Sequence, residues 1–358
     1  MKRVLTSLIL VVAILGTTFA QKWVDATELG IHGHAQQTDK SHYYRFDHTP
    51  YEGFNKTVIN YSKTATGLYV VFKTNSSQIS ATWENVPKRM GDNTTGVSQH
   101  GLDLYIKVDG KWRFASVGRV STLPQNNKRT KSLIKNLADG EKECLLYLPL
   151  WCELKSLKIG IDDGAEIEGL PTPFRHKVVV HGSSITHGAS ASRAGLTYTA
   201  LLSRNLGINF INFGFSGQCK MQPQFLDFLK VCEADAFVFD AFSNPSQKQV
   251  EERLENFVKE LVKAHPGKPL IFIQSPIDQD SKFNTKKYAS RMGINNAAAK
   301  IMKVLAKQYK DVYFLAVPDV LGTDGTIDNS HPTDLGFDRF VKAYQPKIAK
   351  ILKKYDIK

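Results

Sequence analysis

Hydrophobic and polar positions keep two different rhythms along the chain. From residue 21 to about 170 the apolar residues come in short runs or strict alternation: GLYVVFKT (67–74), GLDLYIKV (101–108), KWRFASV (111–117), ECLLYLPL (143–150) and SLKIGI (156–161). Gly, Asn and Asp lie between them. A period of two bounded by turn residues predicts strands, and many short strands at this spacing predict a sandwich or jelly roll. No long helical pattern interrupts the series.

The rhythm changes at GLPTPFRHK (169–177), where two prolines and a charged patch predict a domain boundary. Beyond it, apolar runs KVVVHG (177–182), NFINFGF (209–215), AFVFDAF (236–242), PLIFIQS (269–275) and VYFLAV (312–317) alternate with amphipathic stretches. Those stretches are TYTALLSRNLG, PQFLDFLKVC, QKQVEERLENFVKELVKAH, NNAAAKIMKVLAKQY and DLGFDRFVKAYQPKIAKILKKY. Repeated strand–helix units predict a parallel sheet between helical layers, with ligands at the carboxyl ends of the strands. The prediction is an all-β domain over 21–170 followed by an α/β domain over 175–358.

Residues 1–20 follow neither rhythm. Lys2 and Arg3, an apolar run, then Thr18, Phe19 and Ala20 read as a secretory signal cleaved near Ala20/Gln21. The run is short for a membrane span, and no cysteine follows it for lipid attachment. A mature protein that is secreted or periplasmic, without stable membrane insertion, is therefore expected; an N-terminal anchor helix is the alternative. A length of 358 residues suits two domains, and 42% apolar with 23% charged residues is the balance of a soluble globular chain.

The net charge of +13 admits acidic polymers or anionic surfaces as partners. The lysines are scattered, however, and KIAKILKKYDIK reads as the solvated face of a terminal helix. No nucleic-acid motif accompanies the charge. Cys144, Cys152, Cys219 and Cys232 are too few to staple a chain this long, and no CxxC or Cys/His spacing suggests zinc. Buried thiols are expected, with Cys144–Cys152 or Cys219–Cys232 pairing left open. Four N-x-[ST] sequons begin at Asn55, Asn60, Asn75 and Asn93.

Four strand ends carry candidate chemistry. The first ends in Gly182-Ser183-Ser184: a tight turn whose serine is either a helix N-cap or a nucleophile under free N–H groups. No GK[ST] follows, so it is not a phosphate-binding loop. Gly217, after the second strand, is a turn residue or an unobstructed backbone donor. Asn244, before Pro245, is a loop signal or a side-chain donor to the same oxygen. After the last strand Asp328 precedes His331 by three residues, a spacing that lets the carboxylate accept Nδ1–H and leave Nε2 as a base.

Together these blocks resemble the SGNH hydrolases, also called the GDSL esterase/lipase superfamily. GSSIT matches the nucleophile block; Gly217, Asn244 and the Asp328-x-x-His331 segment match the other three, over about 175–355. Ser183 stands where the family usually has Asp, and FSNP replaces G-x-N-D. Both departures resemble a subgroup in which GSSIT is normal and an N-terminal β domain carries a GxDLY signature, here GLDLY at 101–105.

The resemblance implies a flavodoxin-like three-layer α/β/α domain preceded by an all-β jelly-roll or sandwich domain. It implies Ser184, His331 and Asp328 as catalytic residues. The backbone N–H groups of Ser184 and Gly217 and the Asn244 amide would form the oxyanion hole, with no metal or organic cofactor. The expected activity is hydrolysis of short acyl esters, acetyl first, on a poly- or oligosaccharide. A lysophospholipase or thioesterase, and a non-catalytic carbohydrate binder on the same scaffold, are the alternatives; the oligomeric state is open. Trp23, Trp83, Trp112 and Trp151 are expected in packing roles, with sugar stacking as the other reading. Asp103 and Tyr105 are expected to be structural, and His187, Arg193 and Tyr198 to border the pocket at most.

Overall fold

The computed structural model describes residues 21–120, 127–317 and 319–358. The expected leader, 1–20, lies outside the described residues.

The β half is two antiparallel sheets face to face. One orders its strands Gln21–Asp25, Leu154–Asp162, Ile79–Asn85 and Lys128–Ile134. The other orders Ile167–Gly169, Tyr69–Thr74, Lys142–Tyr147, Leu102–Val108 and Lys111–Gly118, with Ile31–His32 beside Tyr69–Thr74. Phe72, Leu104 and Leu146 meet Ala81, Trp83, Leu157 and Ile159 from the facing sheet in one core.

The other side of the second sheet is also buried. Tyr69, Val71, Tyr105, Leu145 and Tyr147 share a core with Val178, Val180 and Tyr198 of the α/β half. A strand covered on both faces has no reason to alternate, which is why YVVF and CLLY read as continuous apolar runs. Lys128–Ile134, on the free sheet edge, keeps charged residues along its exposed length.

The α/β half has five parallel strands, in the spatial order Ile208–Gly214, Arg175–Gly182, Ala236–Asp240, Leu270–Ile273 and Val312–Leu315. Numbered along the chain this is 2-1-3-4-5, the flavodoxin-like winding, whose switch point lies between the first and third strands. Val178 and Val180 pack with helices Tyr198–Leu206 and Asp334–Leu352 on one side. Val179 packs with Pro223–Val231, Gln247–Ala264 and Thr285–Gln308 on the other.

The Thr285–Gln308 helix starts well before Asn295, where the amphipathic pattern begins. Asn284 caps it by accepting from Lys287 N–H at 3.0 Å, and its first turns are too polar to show a period. The short helix Lys56–Ser62, capped by Asn55, is likewise not legible as a pattern. On the terminal helix Lys347 and Lys350 are exposed while Ile348 and Ile351 are buried, in keeping with the expected solvated face. All four cysteines are buried free thiols, so neither candidate pairing is formed. Among the described residues no helix is long and apolar enough to cross a membrane.

Two cations, the buried Arg45 and the part-exposed Arg193, lock the halves together. The Arg45 guanidinium donates to the Tyr61 carbonyl at 2.6 and 3.1 Å and to the Gly214 carbonyl at 2.8 Å, at the carboxyl end of the second parallel strand. It lies 4.4 Å over the Phe215 ring. Burial without a carboxylate pushes it down to about 9. Asp103 of GLDLY accepts from Arg193 Nη1 at 2.9 Å on both oxygens and from Gly195 N–H at 2.8 Å. Arg193 Nη1 also donates to the Tyr105 hydroxyl. The structural role expected of Asp103 and Tyr105 is thus an ion-pair clamp on the 188–196 loop, just beyond the Ser184 turn.

Candidate active site

The turn after the first parallel strand is shaped by Gly182. A Cβ there would run into Thr186 Oγ1 and stand 2.9 Å from Asp240 Cβ, so no other residue fits without displacement. Ser183 then caps the short helix Ser184–His187, accepting from Ile185 N–H at 3.1 Å and donating its own O–H to Asp240 Oδ2. This separates the two roles that the sequence left on one serine. The capping hydroxyl belongs to Ser183, and Ser184 is left with its Oγ 2.8 Å from His331 Nε2.

His331 is positioned by the start of the terminal helix. Thr333 caps Asp334–Leu352, accepting from Gly336 N–H, so the Asp328–His331 turn is held against the first residues of that helix. Asp328 Oδ2 takes the His331 Nδ1–H at 2.7 Å; Oδ1 takes the backbone N–H groups of Ser330 and His331 at 3.2 and 2.8 Å. A carboxylate only accepts, so the ring proton is on Nδ1 and Nε2 accepts from Ser184 O–H. Burial alone would push the Asp328 carboxyl up. The donors from His331 and from Asn93 outweigh it and hold the group down at about 2. Lys287 and Asp278 both contact Ser330 Oγ, and Arg291 holds Asp278 at 3.1 Å, which braces the turn from the far side.

Ser184 is 7% exposed. Among the described residues, neither its N–H nor that of Gly217 donates to another group. Gly217 sits at φ 70°, with open space where a Cβ would be. Asn244 Oδ1 accepts from Cys219 N–H at 3.2 Å, which turns the amide so that its NH₂ is left to donate elsewhere.

His187 and Tyr198 are buried, and Arg193 lines the cavity beside Trp112, which Ser184 does not line. His187 is fully buried and stacks on Trp151 with centroids 3.8 Å apart at 7°. Its Nε2 reaches the Leu150 carbonyl at 3.1 Å, and Nδ1 accepts from Ser216 N–H at 3.4 Å, beneath the Ser216–Gly217 turn. Burial pushes the ring well below the usual histidine range, so it is a neutral strut. Tyr198 is buried with its hydroxyl 2.7 Å from Thr186 Oγ1, and Arg193 belongs to the Asp103 clamp. Trp83 is buried in the sandwich core, Trp112 is half-buried beside Lys107, and Trp23 packs on Gly160.

Two residues of the site were not found by sequence reasoning. Asp240 closes an otherwise apolar strand, and a lone acid in AFVFDAF was a usable signal. Its Oδ2 accepts from Ser183 O–H, Ser183 N–H and Thr186 O–H, and Oδ1 from Ser243 O–H. The carboxylate that Ser183 lacks is therefore present in space, supplied by the third strand. Asn93, from the β half, donates Nδ2–H to Asp328 Oδ2 at 3.1 Å, across 235 residues of chain; nothing local announces it. Cavities of about 470 and 880 Å³, beside Ile31–Gln37 and beside Trp112, are not lined by Ser184. Among the described residues no group of three or more His, Cys, Asp or Glu side chains is arranged to hold a metal ion.

Comparison with known proteins places this geometry. Residues 175–349 match the GDSL-like lipase/acylhydrolase family, and residues 21–167 match the GxDLY N-terminus of SGNH-hydrolase-type esterases. A Bacteroides ovatus protein described as a GDSL-like lipase is 44% identical, with a TM-score of 0.89 over 93% of this chain and 98% of its own. The chain belongs to the GDSL-like lipase/acylhydrolase family. The same two-part GDSL-family architecture is similar to the salicylyl-acyltransferase SsfX3 of a tetracycline biosynthetic pathway, at 18% identity and TM-score 0.69 over 92% of this chain and 97% of that one. It is also similar to a family two carbohydrate esterase from Cellvibrio japonicus, at 13% identity and TM-score 0.61 over 93% and 98%. At those identities the likeness is one of fold. No curated protein matches the chain.

Proposed function

We propose that this GDSL-family protein is an exported serine esterase that removes short acyl groups, acetyl foremost, from a poly- or oligosaccharide. The observation that carries the reading is the unbroken line Ser184 Oγ–His331–Asp328, at 2.8 and 2.7 Å, at the switch point of the parallel sheet.

In this reading His331 Nε2 takes the Ser184 proton as Oγ attacks the ester carbonyl carbon, and Asp328 stabilises the imidazolium formed. The tetrahedral oxyanion accepts from the N–H groups of Ser184 and Gly217 and from the Asn244 amide, each worth about 3 kcal/mol of barrier. Collapse expels the alcohol, protonated by His331, and leaves an acyl-Ser184 ester. Water then attacks that ester with the same base and the same oxyanion donors, releasing the carboxylic acid. No step calls on a metal or an organic cofactor.

Family membership supports acyl-ester chemistry, and the fold shared with a carbohydrate esterase supports a sugar leaving group. The lysine-rich surface would favour an acidic glycan, and the leader-like segment at 1–20 motivates export. The test is acetate release from acetylated xylan and nitrophenol release from nitrophenyl esters of rising chain length. The expected result is activity that falls steeply beyond short acyl groups and vanishes in Ser184→Ala. A preference for long acyl chains would move the protein to the lysophospholipase or thioesterase reading. A folded wild type inactive on every ester would leave glycan binding as its role.

A further inference from the structure

We infer that Asn93 of the N-terminal β domain is a positioning residue for the Asp328–His331 pair, so that the reactive centre is completed across the domain boundary; this rests on the acyl-hydrolase reading above. The Asn93 amide reaches the same oxygen, Oδ2, that receives the His331 Nδ1–H, and it lies 3.4 Å from Nδ1 itself. Only an N–H can face a carboxylate at that distance, which fixes the amide orientation.

Asp328 has four donors, two on each oxygen. Three come from its own turn, from the backbone of Ser330 and the backbone and ring of His331. These move with the turn and cannot hold it in place. Asn93 is the donor that arrives from a separate element. The Asp328 side chain is 37% exposed, so water could replace the lost bond but not its direction.

The loop that carries Asn93 is built to hold that position. Gln99, 1% exposed, accepts from Gly91 N–H at 2.8 Å and Thr94 O–H at 3.1 Å, and donates to the Arg89 carbonyl at 2.7 Å. Thr95 donates to the Ser192 carbonyl at 2.5 Å, and Ser192 N–H donates to Asp334 at 2.9 Å, in the first turn of the helix that begins just after His331. Asn93 is thus tied to its own domain by Gln99 and to the catalytic domain by Thr95. Around Asp328, His331 is the bonded ionisable group on its own turn. Lys287 and Asp278 reach the turn at Ser330 and pair with each other at 3.6 Å, and the β domain presents the neutral Asn93. The amide is neutral, so it orients the carboxylate without competing with the imidazolium that forms during attack.

The experiment is the second-order rate at which a fluorophosphonate labels Ser184, read by mass spectrometry on the full chain, for wild type, Asn93→Ala and Asn93→Asp across pH. Labelling needs the activated serine but no particular acyl substrate. One hydrogen bond to a partly exposed carboxylate corresponds to about a three- to tenfold slower rate in Asn93→Ala. Thermal midpoints should move only slightly, because the lost bond is a single one at a part-exposed loop. Asn93→Asp puts a second anion against the pair, which repels Asp328 and favours positive charge on the ring. It should label more slowly still and move the acid limb of the rate profile to higher pH, which a merely structural loop residue would not do. Equal rates and coincident profiles in all three proteins overturn the inference while leaving the triad standing. A wild type whose Ser184 never labels overturns the hydrolase reading itself, and the positioning role with it.

Discussion

The floor and the rim of the candidate site each hold one aspartate, in opposite physical states. Asp240, on the floor, is fully buried among Ser183, Thr186 and Ser243; burial pushes its carboxyl up, and the hydroxyl and N–H donors around it only partly pull it back. Asp328, on the rim, is part-exposed, and its donors win, holding it at about 2. Ser183 and Thr186 carry no charge, so Asp240 acts on geometry: it fixes the turn on which Ser184 stands. Asp328 faces a titratable ring and, in the proposed mechanism, orients it as a base. Burial makes a carboxylate a strut, and a titratable partner at a part-exposed rim lets it orient that partner.

The sharpest way to break the comparison is Ser184→Ala, which removes the group that both regions serve. Esterase turnover should fall by about 10⁴-fold or more with the fold intact, measured as nitrophenol release beside a far-ultraviolet spectrum. Retained activity would place the chemistry elsewhere.

Next is Asp328→Asn. It keeps the shape but loses the carboxylate that holds the Nδ1 proton, and turnover should drop by about 10²- to 10⁴-fold. The same variant tests the electrostatics of the rim. The folded carboxyl lies at about 2, below the unfolded value of about 3.9, so its bonds stabilise the fold above pH about 4 and fade as pH falls toward 2. The gap in thermal midpoint between wild type and Asp328→Asn should therefore narrow over that window; a constant gap would contradict the assignment.

Asp240→Ala should separate floor from rim by its signature. It strands the Ser183 and Thr186 hydroxyls and the Ser183 N–H in a closed interior, and a loss of about 2–4 kcal/mol in stability is expected from urea unfolding. A variant as stable as wild type, with only turnover changed, would mean that Asp240 is a reagent after all. The smallest effect should come from Gly217→Ala. No neighbour opposes the added methyl, so its cost is that of a positive φ, about 1 kcal/mol, with a turnover loss of a few-fold as the N–H tilts. A hundredfold loss with no change in stability would show the Gly217 N–H to be worth more than one donor among three.

Much of this was legible in the chain. The change from a period of two to strand–helix alternation near residue 170 was visible, as was the placement of Ser184, Gly217, Asn244 and the Asp328–His331 segment at strand ends. What escaped was of two kinds. Ser183 and Ser184 are chemically identical neighbours, and only the direction of each hydroxyl, one to Ile185 N–H and Asp240, the other to His331, separates cap from candidate nucleophile. His187, close to Ser184 in sequence, points inward onto Trp151 because the helix carrying both residues has one face on the sandwich.

The sequence by itself determined the two fold classes and which candidate residues follow each strand. Periodicity, turn glycines and the Asp-x-x-His spacing are local properties, and the local backbone obeys them wherever the chain goes. Only the tertiary structure decided that the sandwich is part of the site. It alone brought Asp240 under Ser183, clamped Arg193 with Asp103, and set Asn93 against Asp328, because these contacts join residues 57 to 235 positions apart. Nothing in a local pattern encodes such a meeting; it is fixed by the burial of one sheet on both its faces and by the docking that this burial drives.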